Sequence, residues 1–368
     1  MNQNLAIIGA SYLQLPLIEK AKQMGYTTHV FAWAANDVGE AAADCFYPVS
    51  IVEKEEILEI CGRIGICGIC SIASDLAMLT VNYVAEKLDL TGNSMEATIK
   101  STNKHEMRLA FEAAGDPSPR SIQVDETTDL RTLKLEYPVI VKPTDRSGSR
   151  GINKVERYED LPGAVADAMT QSFEKTVLIE EYAHGQEYSV EFISCQGVHH
   201  FLALTHKYTT GAPHFIETGH LQPAPVDRET LEKVKKVTVH ALNTLGISNG
   251  ASHTELKIAS DGTIRIIEIG GRMGGDCIGS DMVLYSTGNE FVKMVIQVAV
   301  GQEPDLSVVY EPHGVEVRFI FTREDLDAFY ALRDNEPERL LKVVDLKPEN
   351  LGLATDSSSR AGCYLVRA

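Results

Sequence analysis

Acidic and basic side chains at the end of one strand-like segment are well placed to do chemistry. The segment IEIGGRMGGD, residues 267–276, ends an apolar run with Glu268 and then sets Arg272 among four glycines. The preceding KIASDGTIRIIEI contains a D-G pair between apolar runs, which is typical of a two-residue hairpin turn. With that turn, Glu255 lies directly opposite Glu268, and His253 lies opposite Gly270.

The predicted pairing of two carboxylates requires a compensating charge. Two ionised carboxylates about 5 Å apart repel by roughly 3 kcal/mol at an effective dielectric constant near 20. A shared proton or Arg272 could offset this repulsion, but hard divalent cations prefer oxygen ligands. We therefore predict a metal site at Glu255 and Glu268, with magnesium as the ion if phosphates bind nearby.

A second candidate site is the glycine-rich loop that follows Lys142 in VIVKPTDRSGSRG. Backbone N–H groups of such a loop can surround phosphate oxygens, and a lysine on the adjacent strand supplies a positive charge. The P-loop pattern G-x-x-x-x-G-K-[ST] is absent here. Taken alone, the loop fits a phosphate site and a surface turn equally well.

Strands and helices alternate in the N-terminal third, which predicts a parallel α/β unit. Its first turn, G-A-S-Y-L-Q, lacks G-x-G-x-x-G and so favours a structural or substrate-lining Rossmann-like domain over a dinucleotide site. Asn103 followed by Glu106 predicts the start of a helix, and GDPSPR ends it. We predict an N-terminal domain over 1–115, a small domain over 116–205 and a larger domain over 206–368.

Composition excludes several classes of partner. The 368 residues are 44% hydrophobic and 23% charged, with a net charge of -18, which favours a folded soluble protein and disfavours binding to nucleic acid or an anionic membrane. No signal-like or membrane-spanning apolar run is present, so we expect a cytoplasmic location. The seven cysteines, including Cys67 and Cys70, are expected to be reduced and not to bind zinc.

The order of these motifs resembles that of the ATP-grasp enzymes over roughly residues 1–300. Five pieces carry the resemblance: Lys104 on a capped helix, Lys142 before the Gly-Ser loop, IEEYAHGQE at 179–187, HTELK at 253–257 and IEIGGRMGGD. The resemblance implies an α/β ATP-grasp fold, with a Rossmann-like N-terminal domain, a small α+β lid domain and a larger C-terminal α+β domain.

The resemblance also implies roles for individual residues. The expected ATP-binding residues are Lys104, Lys142, Ser147, Gly148, Ser149, Gly151, Glu180, Glu181, Tyr182 and Glu187. Among these, the two lysines would hold phosphates, 180–182 would recognise adenine, and Glu187 would bind the ribose hydroxyls. Glu255 and Glu268 would bind Mg²⁺, with Mn²⁺ as an alternative ion, while Arg272 and Lys142 would be catalytic.

Within the superfamily, THKYTTGAPHFIETGHLQPAP and GGRMGGD are most similar to L-amino-acid ligases and related carboxylate-amine ligases. That similarity places Glu217, His220, Arg272 and Gly275 in the substrate site. The implied reaction activates a carboxylate, expected to be an amino acid, as an acyl phosphate and couples it to an amine. The small-molecule acid and amine are the expected partners, with homodimerisation left open.

Two other functions remain open from the sequence. One is an ATP-grasp carboxylase or carbamoyl-phosphate-synthase-like enzyme that uses bicarbonate, and the other is a non-catalytic nucleotide-binding regulatory protein. The chain also departs from the family at Gly270, where many ATP-grasp enzymes have Asn. A second magnesium ion would lack that ligand, so water, phosphate oxygens or His253 would have to replace it.

Overall fold

The N-terminal unit is a parallel sheet covered by helices. The computed structural model describes residues 3–146, 151–211, 216–352 and 360–368. The sheet has the order β3-β2-β1-β4, and all its pairings are parallel, as predicted. Its strands are β1 Asn4–Ile8, β2 Thr27–Phe31, β3 Cys45–Tyr47 and β4 Gly68–Cys70. Its helices are α1 Leu15–Gln23, α2 Val38–Ala42, α3 Lys54–Ile64 and α4 Asp75–Lys87.

Two helices connect this unit to the rest of the chain: α5 Met95–Thr102 and α6 Lys104–Ala114. The Asn103 side chain accepts hydrogen bonds from the backbone N–H groups of His105 and Glu106, which confirms the predicted cap. Helix α6 ends at Gly115, whose left-handed backbone (φ 76°) suits a residue without a side chain. Met107 and Phe111 on α6 pack into the core of the C-terminal sheet, so the connecting helix is fixed against that sheet.

A small antiparallel sheet of order β5-β8-β6-β7 follows. Its elements are β5 Ser121–Val124, β6 Val139–Pro143, β7 Asn153–Val155, α7 Leu161–Gln171 and β8 Val177–Glu181. Alternate apolar residues of the strands face α7 and form a separate small core. We call β5 to β8 with α7 the lid unit.

The largest element is an antiparallel sheet of order β13-β12-β9-β10-β11-β14-β16-β15. Its strands are β9 Gln186–Cys195, β10 Val198–Thr209, β11 Glu217–Gln222, β12 Gly250–Ile258, β13 Ile264–Gly270, β14 Val315–Phe319, β15 Leu340–Val344 and β16 Cys363–Arg367. Its helices are α8 Arg228–Leu245, α9 Val283–Thr287, α10 Phe291–Ala299 and α11 Arg323–Asn335. The C-terminal strands, whose role the sequence left undecided, complete this sheet.

The change from the lid sheet to the large sheet falls between Glu181 and Gln186. The boundary predicted at 205 lies inside β10, so it does not coincide with a change of sheet. The predicted small domain over 116–205 therefore includes β9 and most of β10, which belong to the large sheet. Here β9 pairs with both β10 and β12, and these long-range pairings decide its sheet.

The β12–β13 hairpin has the predicted register at the carboxylates, with Glu255 opposite Glu268 and His253 opposite Gly270. The predicted two-residue turn is wrong, however. The backbone N–H of Ala259 donates to the carbonyl of Thr263, and Gly262 has a left-handed φ of 82°, which makes a three-residue loop. A bulge at Ile267, where β13 has one extra residue, restores the predicted register beyond it.

The helices and the cysteines bear on the expectations about membrane spans and thiol chemistry. No helix among them is long and apolar enough to cross a membrane. All seven cysteines are free, and five of them are buried. Burial raises the pKa of Cys70 to about 12, which opposes a thiolate role for the Cys67–Cys70 pair.

Candidate functional site

Helix α6 begins at Lys104, and its cap directs that lysine towards the carboxylate hairpin. Lys104 Nζ lies 2.7 Å from Glu268 Oε1 and donates to the carbonyl of Arg146 at 2.7 Å. Its backbone N–H donates to the carbonyl of Thr144, just beyond β6 of the lid unit. One lysine thus joins the lid unit to the large sheet beside a predicted metal ligand.

Lys142 on β6 lies in a second, fully buried group of charges. Its Nζ is 2.7 Å from Glu180 Oε2 on β8, and Arg108 Nε from α6 is 2.9 Å from Glu180 Oε1. Burial disfavours the ammonium and lowers the pKa of Lys142, although Glu180 opposes this effect. Burial would raise the pKa of Glu180, but Arg108 and Lys142 bring it below its usual value.

The two groups together contain an excess of positive charge. Three cations, Lys104, Lys142 and Arg108, face two carboxylates, Glu180 and Glu268. An excess buried cation is costly unless an anion approaches. The arrangement therefore suits a phosphate chain, which would supply the missing negative charge.

The other predicted nucleotide residues are placed around the end of β8. Glu181 is exposed and lies 3.5 Å from Arg120 Nε, so its side chain does not point into the same buried group as Glu180. The Tyr182 ring packs against His184 and lies beneath the ammonium groups of Lys154 and Lys257. Such an aromatic surface suits stacking or edge contact with a planar base.

Part of the predicted phosphate loop is described. Gly151 has a φ of 68°, and a Cβ there would lie 3.1 Å from Pro143 and Gln171 side-chain atoms. The backbone and the close approach both favour glycine at this position. Ser147, Gly148 and Ser149 lie outside the described residues.

Lys207 on β10 connects three carboxylates that the sequence analysis assigned to different ligands. Its buried Nζ lies 2.6 Å from Glu217 and 2.7 Å from Glu255, and 3.4 Å from Glu187. The strand register sets this arrangement, since Lys207 pairs with Glu187 on β9 and with His220 on β11. The predicted ribose, metal and substrate residues therefore share one buried cation.

The charges in this cluster shift the pKa values in opposite directions. Burial and the like charges of Glu255 and Glu217 raise the pKa of Glu187, against the effect of Lys207. Burial opposes ionisation of Glu255 and Glu217, but the Lys207 ammonium more than offsets it and lowers both pKa values. Both carboxylates are therefore ionised at neutral pH, as a cation ligand must be.

Glu255 and Glu268 fit a hard divalent cation. They face each other across the hairpin, and their ion pairs to Lys207 and Lys104 both use Oε1. Each side chain remains about one-quarter exposed, at 28% and 23%. Carboxylate oxygens of this kind are suitable Mg²⁺ ligands, with water and phosphate oxygens completing the shell.

The missing asparagine at Gly270 has a steric explanation. A Cβ at Gly270 would lie 2.5 Å from Asp75 Oδ1, which reaches the site from the first turn of α4. Asp75 uses both oxygens to bind Arg272, with Nε to Oδ1 at 2.9 Å and Nη2 to Oδ2 at 3.0 Å. The N-terminal unit thus occupies the space beside residue 270 and holds the Arg272 guanidinium.

His253 is committed to a neighbouring carboxylate. Its Nδ1 bonds to Glu191 on β9, while its Nε2 lies 3.5 Å from Glu255 Oε1. Glu191 also accepts the backbone N–H of Gly274 at 3.0 Å, which ties the glycine-rich turn to the sheet. Burial would lower the pKa of His253, but Glu191 raises it to about 9, so a protonated His253 is a poor replacement metal ligand.

Two of the predicted substrate residues, Glu217 and His220, lie beside Lys207. His220 Nε2 is 3.5 Å from Glu217 Oε2, and both lie close to Asp276, with ligand atoms within 4.8 Å of one another. Gly275 lies in the same turn, where a Cβ would be 3.4 Å from Ala73 of the N-terminal unit. Asp276 has a φ of 50°, a costly conformation for a non-glycine residue that often occurs at functional sites.

Several charged residues of this region were not predicted from the sequence. Each of them has a buried side chain or an ion pair with a residue of a distant element, and they are Asp75, Arg108, Glu191, Lys207, Asp276 and Arg360. The available signal was a charged residue inside an apolar strand, as for Glu191 in YSVEFIS and Lys207 in LALTHKYT. A buried charge needs a partner, and the sequence alone does not identify that partner.

A known domain family matches the middle of the chain. An ATP-grasp domain model matches residues 135–281, which include most of the lid unit and the β12–β13 hairpin. Residues 135–281 are therefore similar to an ATP-grasp domain, and the chain has a mixed α/β, multi-domain fold of the predicted kind.

Individual relatives are more distant. The chain is 27% identical over 247 residues to an alanine–anticapsin ligase of Bacillus subtilis, a match that covers 60% of this chain and 51% of that protein. It thus spans about half the length of the alanine–anticapsin ligases that it matches.

Two solved structures share the fold over nearly the whole chain. An L-amino acid ligase from Bacillus licheniformis has a TM-score of 0.82 at 24% identity, covering 99% of this chain and 93% of that one. An N5-carboxyaminoimidazole synthetase from Staphylococcus aureus, complexed with ADP, has a TM-score of 0.80 at 16% identity, covering 100% and 94%.

Proposed function

We propose that this protein is an ATP-dependent carboxylate-amine ligase. It would activate a carboxylate, such as that of an amino acid, as an acyl phosphate and join it to an amine, with ADP and phosphate as products. The observation that supports this most directly is the Glu255–Glu268 pair, which meets Lys104 and Lys207 between the lid unit and the large sheet. The similarity to proteins named as ligases agrees with the proposal.

The nucleotide would lie between the lid unit and the large sheet. Lys104 and Lys142 would bind its phosphates, Tyr182 would contact the base, and Glu187 would accept hydrogen bonds from the ribose. Glu255 and Glu268 would hold Mg²⁺ or Mn²⁺, which would neutralise phosphate charge and align the phosphoryl group.

Chemistry in this site depends on positioning and on positive charge. A carboxylate oxygen of the acid would attack the γ-phosphorus as the bond to ADP breaks, and Arg272 would stabilise the charge on the transferred group. Asp75 fixes the Arg272 guanidinium in advance, so little reorganisation is needed during the reaction. The neutral amine nitrogen would then attack the acyl carbon. The bond from that carbon to the phosphate oxygen would break, and the departing phosphate would take up the proton that the nitrogen loses.

A phosphate-release screen tests this function directly. The protein is incubated with MgATP and pairs of amino acids or small carboxylic acids, and hydroxylamine is used in parallel to trap an acyl phosphate as a hydroxamate. Amine-dependent phosphate release and hydroxamate formation are expected. Release that depends on bicarbonate would indicate the carboxylase alternative, and tight ATP binding without any release would indicate a regulatory protein.

Glu268→Gln is the variant that tests the metal assignment. Replacing a carboxylate ligand by an amide should lower phosphate release about 100-fold or more, because metal charge at the transferred phosphoryl group is lost. Glu316→Gln, a partly buried change on β14 of the same sheet, is the control and should retain activity. Full Mg²⁺-dependent turnover in Glu268→Gln, with an unchanged melting temperature, would contradict the assignment.

A further inference from the structure

Arg360 lies immediately before β16 and points into the region of Glu217 and His220. Its side chain is only 6% exposed, and its guanidinium lies 3.6 Å from the centre of the Phe319 ring. Nη1 donates to Asp276 Oδ2 at 2.9 Å. The aromatic ring and the carboxylate together hold the guanidinium in one orientation.

The guanidinium nevertheless has N–H donors that are not used in hydrogen bonds to the described residues. Within the described parts of the chain, its buried Nε and Nη2 atoms have no hydrogen-bond partner, and Nη2 is 3.6 Å from Glu217 Oε2. A buried donor without an acceptor costs free energy, so such a group in a folded site suggests that a ligand supplies the acceptor. Two adjacent N–H groups of one guanidinium match the two oxygens of a carboxylate.

The groups close to Arg360 include hydrogen-bond acceptors. Glu217 and Asp276 are acceptors, and His220 is fully buried with neither ring nitrogen hydrogen-bonded among the described residues. A metal ion here would be repelled by Arg360 and by Lys207, which already pair with these carboxylates. An amine or ammonium group, which donates several hydrogen bonds and carries at most one charge, fits better.

We propose that Arg360 is a specificity-determining residue that binds the carboxylate of the amine substrate, so that this substrate is an amino acid used with its carboxylate free. Glu217, His220 and Asp276 receive the amino group, and Arg360 receives the carboxylate through Nε and Nη2. A zwitterion adds no net charge to the pocket. The inference rests on the proposed ligase function.

The contacts of Arg360 indicate that it binds the carboxylate of the amine substrate and not that of the acid that is phosphorylated. The phosphorylated acid must meet the γ-phosphate near Glu268, Lys104 and Arg272. Among its described contacts, Arg360 pairs with Glu217 and Asp276 and not with Glu268, Lys104 or Arg272. A carboxylate held by Arg360 is therefore bound by a different set of residues from the carboxylate that is phosphorylated.

The experiment compares amine substrates with and without a carboxylate. The proteinogenic L-amino acids and their primary amides are tested as nucleophiles in the phosphate-release assay, with hydroxylamine as a nucleophile that has no carboxylate. Wild-type protein should prefer an amino acid over its amide by about 10- to 100-fold in kcat/KM. The amide has the less protonated amine at neutral pH, so amine reactivity does not explain such a preference.

Variants link the preference to the residue. In Arg360→Gln, the KM for the amino-acid nucleophile should rise about 10- to 100-fold and the preference over the amide should disappear. The KM for ATP should change less than about threefold. Arg360→Lys, which keeps the charge but not the two parallel donors, should retain part of the preference. Arg318→Gln on neighbouring β14, where Arg318 pairs with Glu316, is the matched control and should keep the full preference.

Each outcome decides one claim. Wild-type protein that uses amides as well as amino acids, or an Arg360→Gln variant that keeps the preference, overturns the role of Arg360 and leaves the ligase function intact. Arg360→Gln that raises only the KM of the phosphorylated acid also overturns it. Absence of both hydroxamate and amine-dependent phosphate release in wild-type protein contradicts the ligase function itself.

Discussion

At the scale of single residues, the site consists of buried charges that satisfy one another in pairs and triads. Lys207 holds Glu217 and Glu255, while Glu180 holds Lys142 and Arg108. Removing one partner leaves an uncompensated charge in a region of low dielectric constant. These side chains are therefore sensitive positions for stability as well as for ligand binding.

Arg108→Met tests the buried triad. The change removes the Arg108 hydrogen bond to the carbonyl of Ile267 at 2.6 Å and leaves Glu180 with Lys142 alone. We expect the free energy of unfolding to fall by about 2 kcal/mol, measured by urea denaturation followed by circular dichroism. Arg63→Met, on an exposed face of α3, should change it by less than about 0.5 kcal/mol. Equal effects of the two changes would show that the triad contributes little.

At the scale of elements, the β12–β13 hairpin and the turn after it determine where the charges lie. The bulge at Ile267 puts Glu255 opposite Glu268, and Gly270 then lets Asp75 approach the strand end. A side chain at residue 270 is excluded by the N-terminal unit and not by the hairpin itself. The glycine is therefore a packing requirement between two elements far apart in the sequence.

Gly270→Ala follows from this packing. The new Cβ would overlap Asp75 Oδ1 and displace the Asp75–Arg272 pair, so kcat should fall at least about 10-fold. Steady-state phosphate release measures the effect, and the KM for ATP should change little, since Lys104 and Lys142 are untouched. Gly163→Ala in α7, where a Cβ meets no atom within 4 Å, is the control. Normal kcat in Gly270→Ala would indicate that Asp75 can move without consequence.

At the scale of the whole molecule, three sheets meet around the site. The N-terminal unit supplies Asp75, the lid unit supplies Lys142, and the large sheet supplies Glu255 and Glu268. Helix α10 packs between the N-terminal sheet and the large sheet, since Phe291 and Ile296 share a core with Leu5 and Ile193. This shared core fixes the N-terminal unit against the site, so its residues can act in the reaction.

Asp75→Asn tests the contribution of the N-terminal unit. The amide keeps the size of the side chain but loses the charge that holds Arg272, so the arginine should no longer be fixed. We expect kcat to fall about 10- to 100-fold while the KM for ATP changes little. A larger effect on the KM for ATP than on kcat would instead place Asp75 in nucleotide binding. An unchanged melting temperature would show that the effect is not a loss of folding.

The local features of this protein follow from its amino-acid sequence alone. The cap at Asn103, the parallel N-terminal unit and the facing of Glu255 and Glu268 all follow from short-range patterns, and the order of the motifs indicated the fold. The three-residue loop and the bulge at Ile267 were missed, and their opposite effects on register left the carboxylate pairing correct.

The identity of the charged partners, in contrast, depends on the tertiary structure. Asp75 and Arg272, Arg108 and Glu180, and Arg360 and Asp276 are far apart in sequence, and no periodicity relates them. Sequence patterns report which face of an element is buried, because burial repeats with the period of a helix or strand. Pairing of buried charges depends on how separate elements pack, so it is fixed only when the three sheets come together.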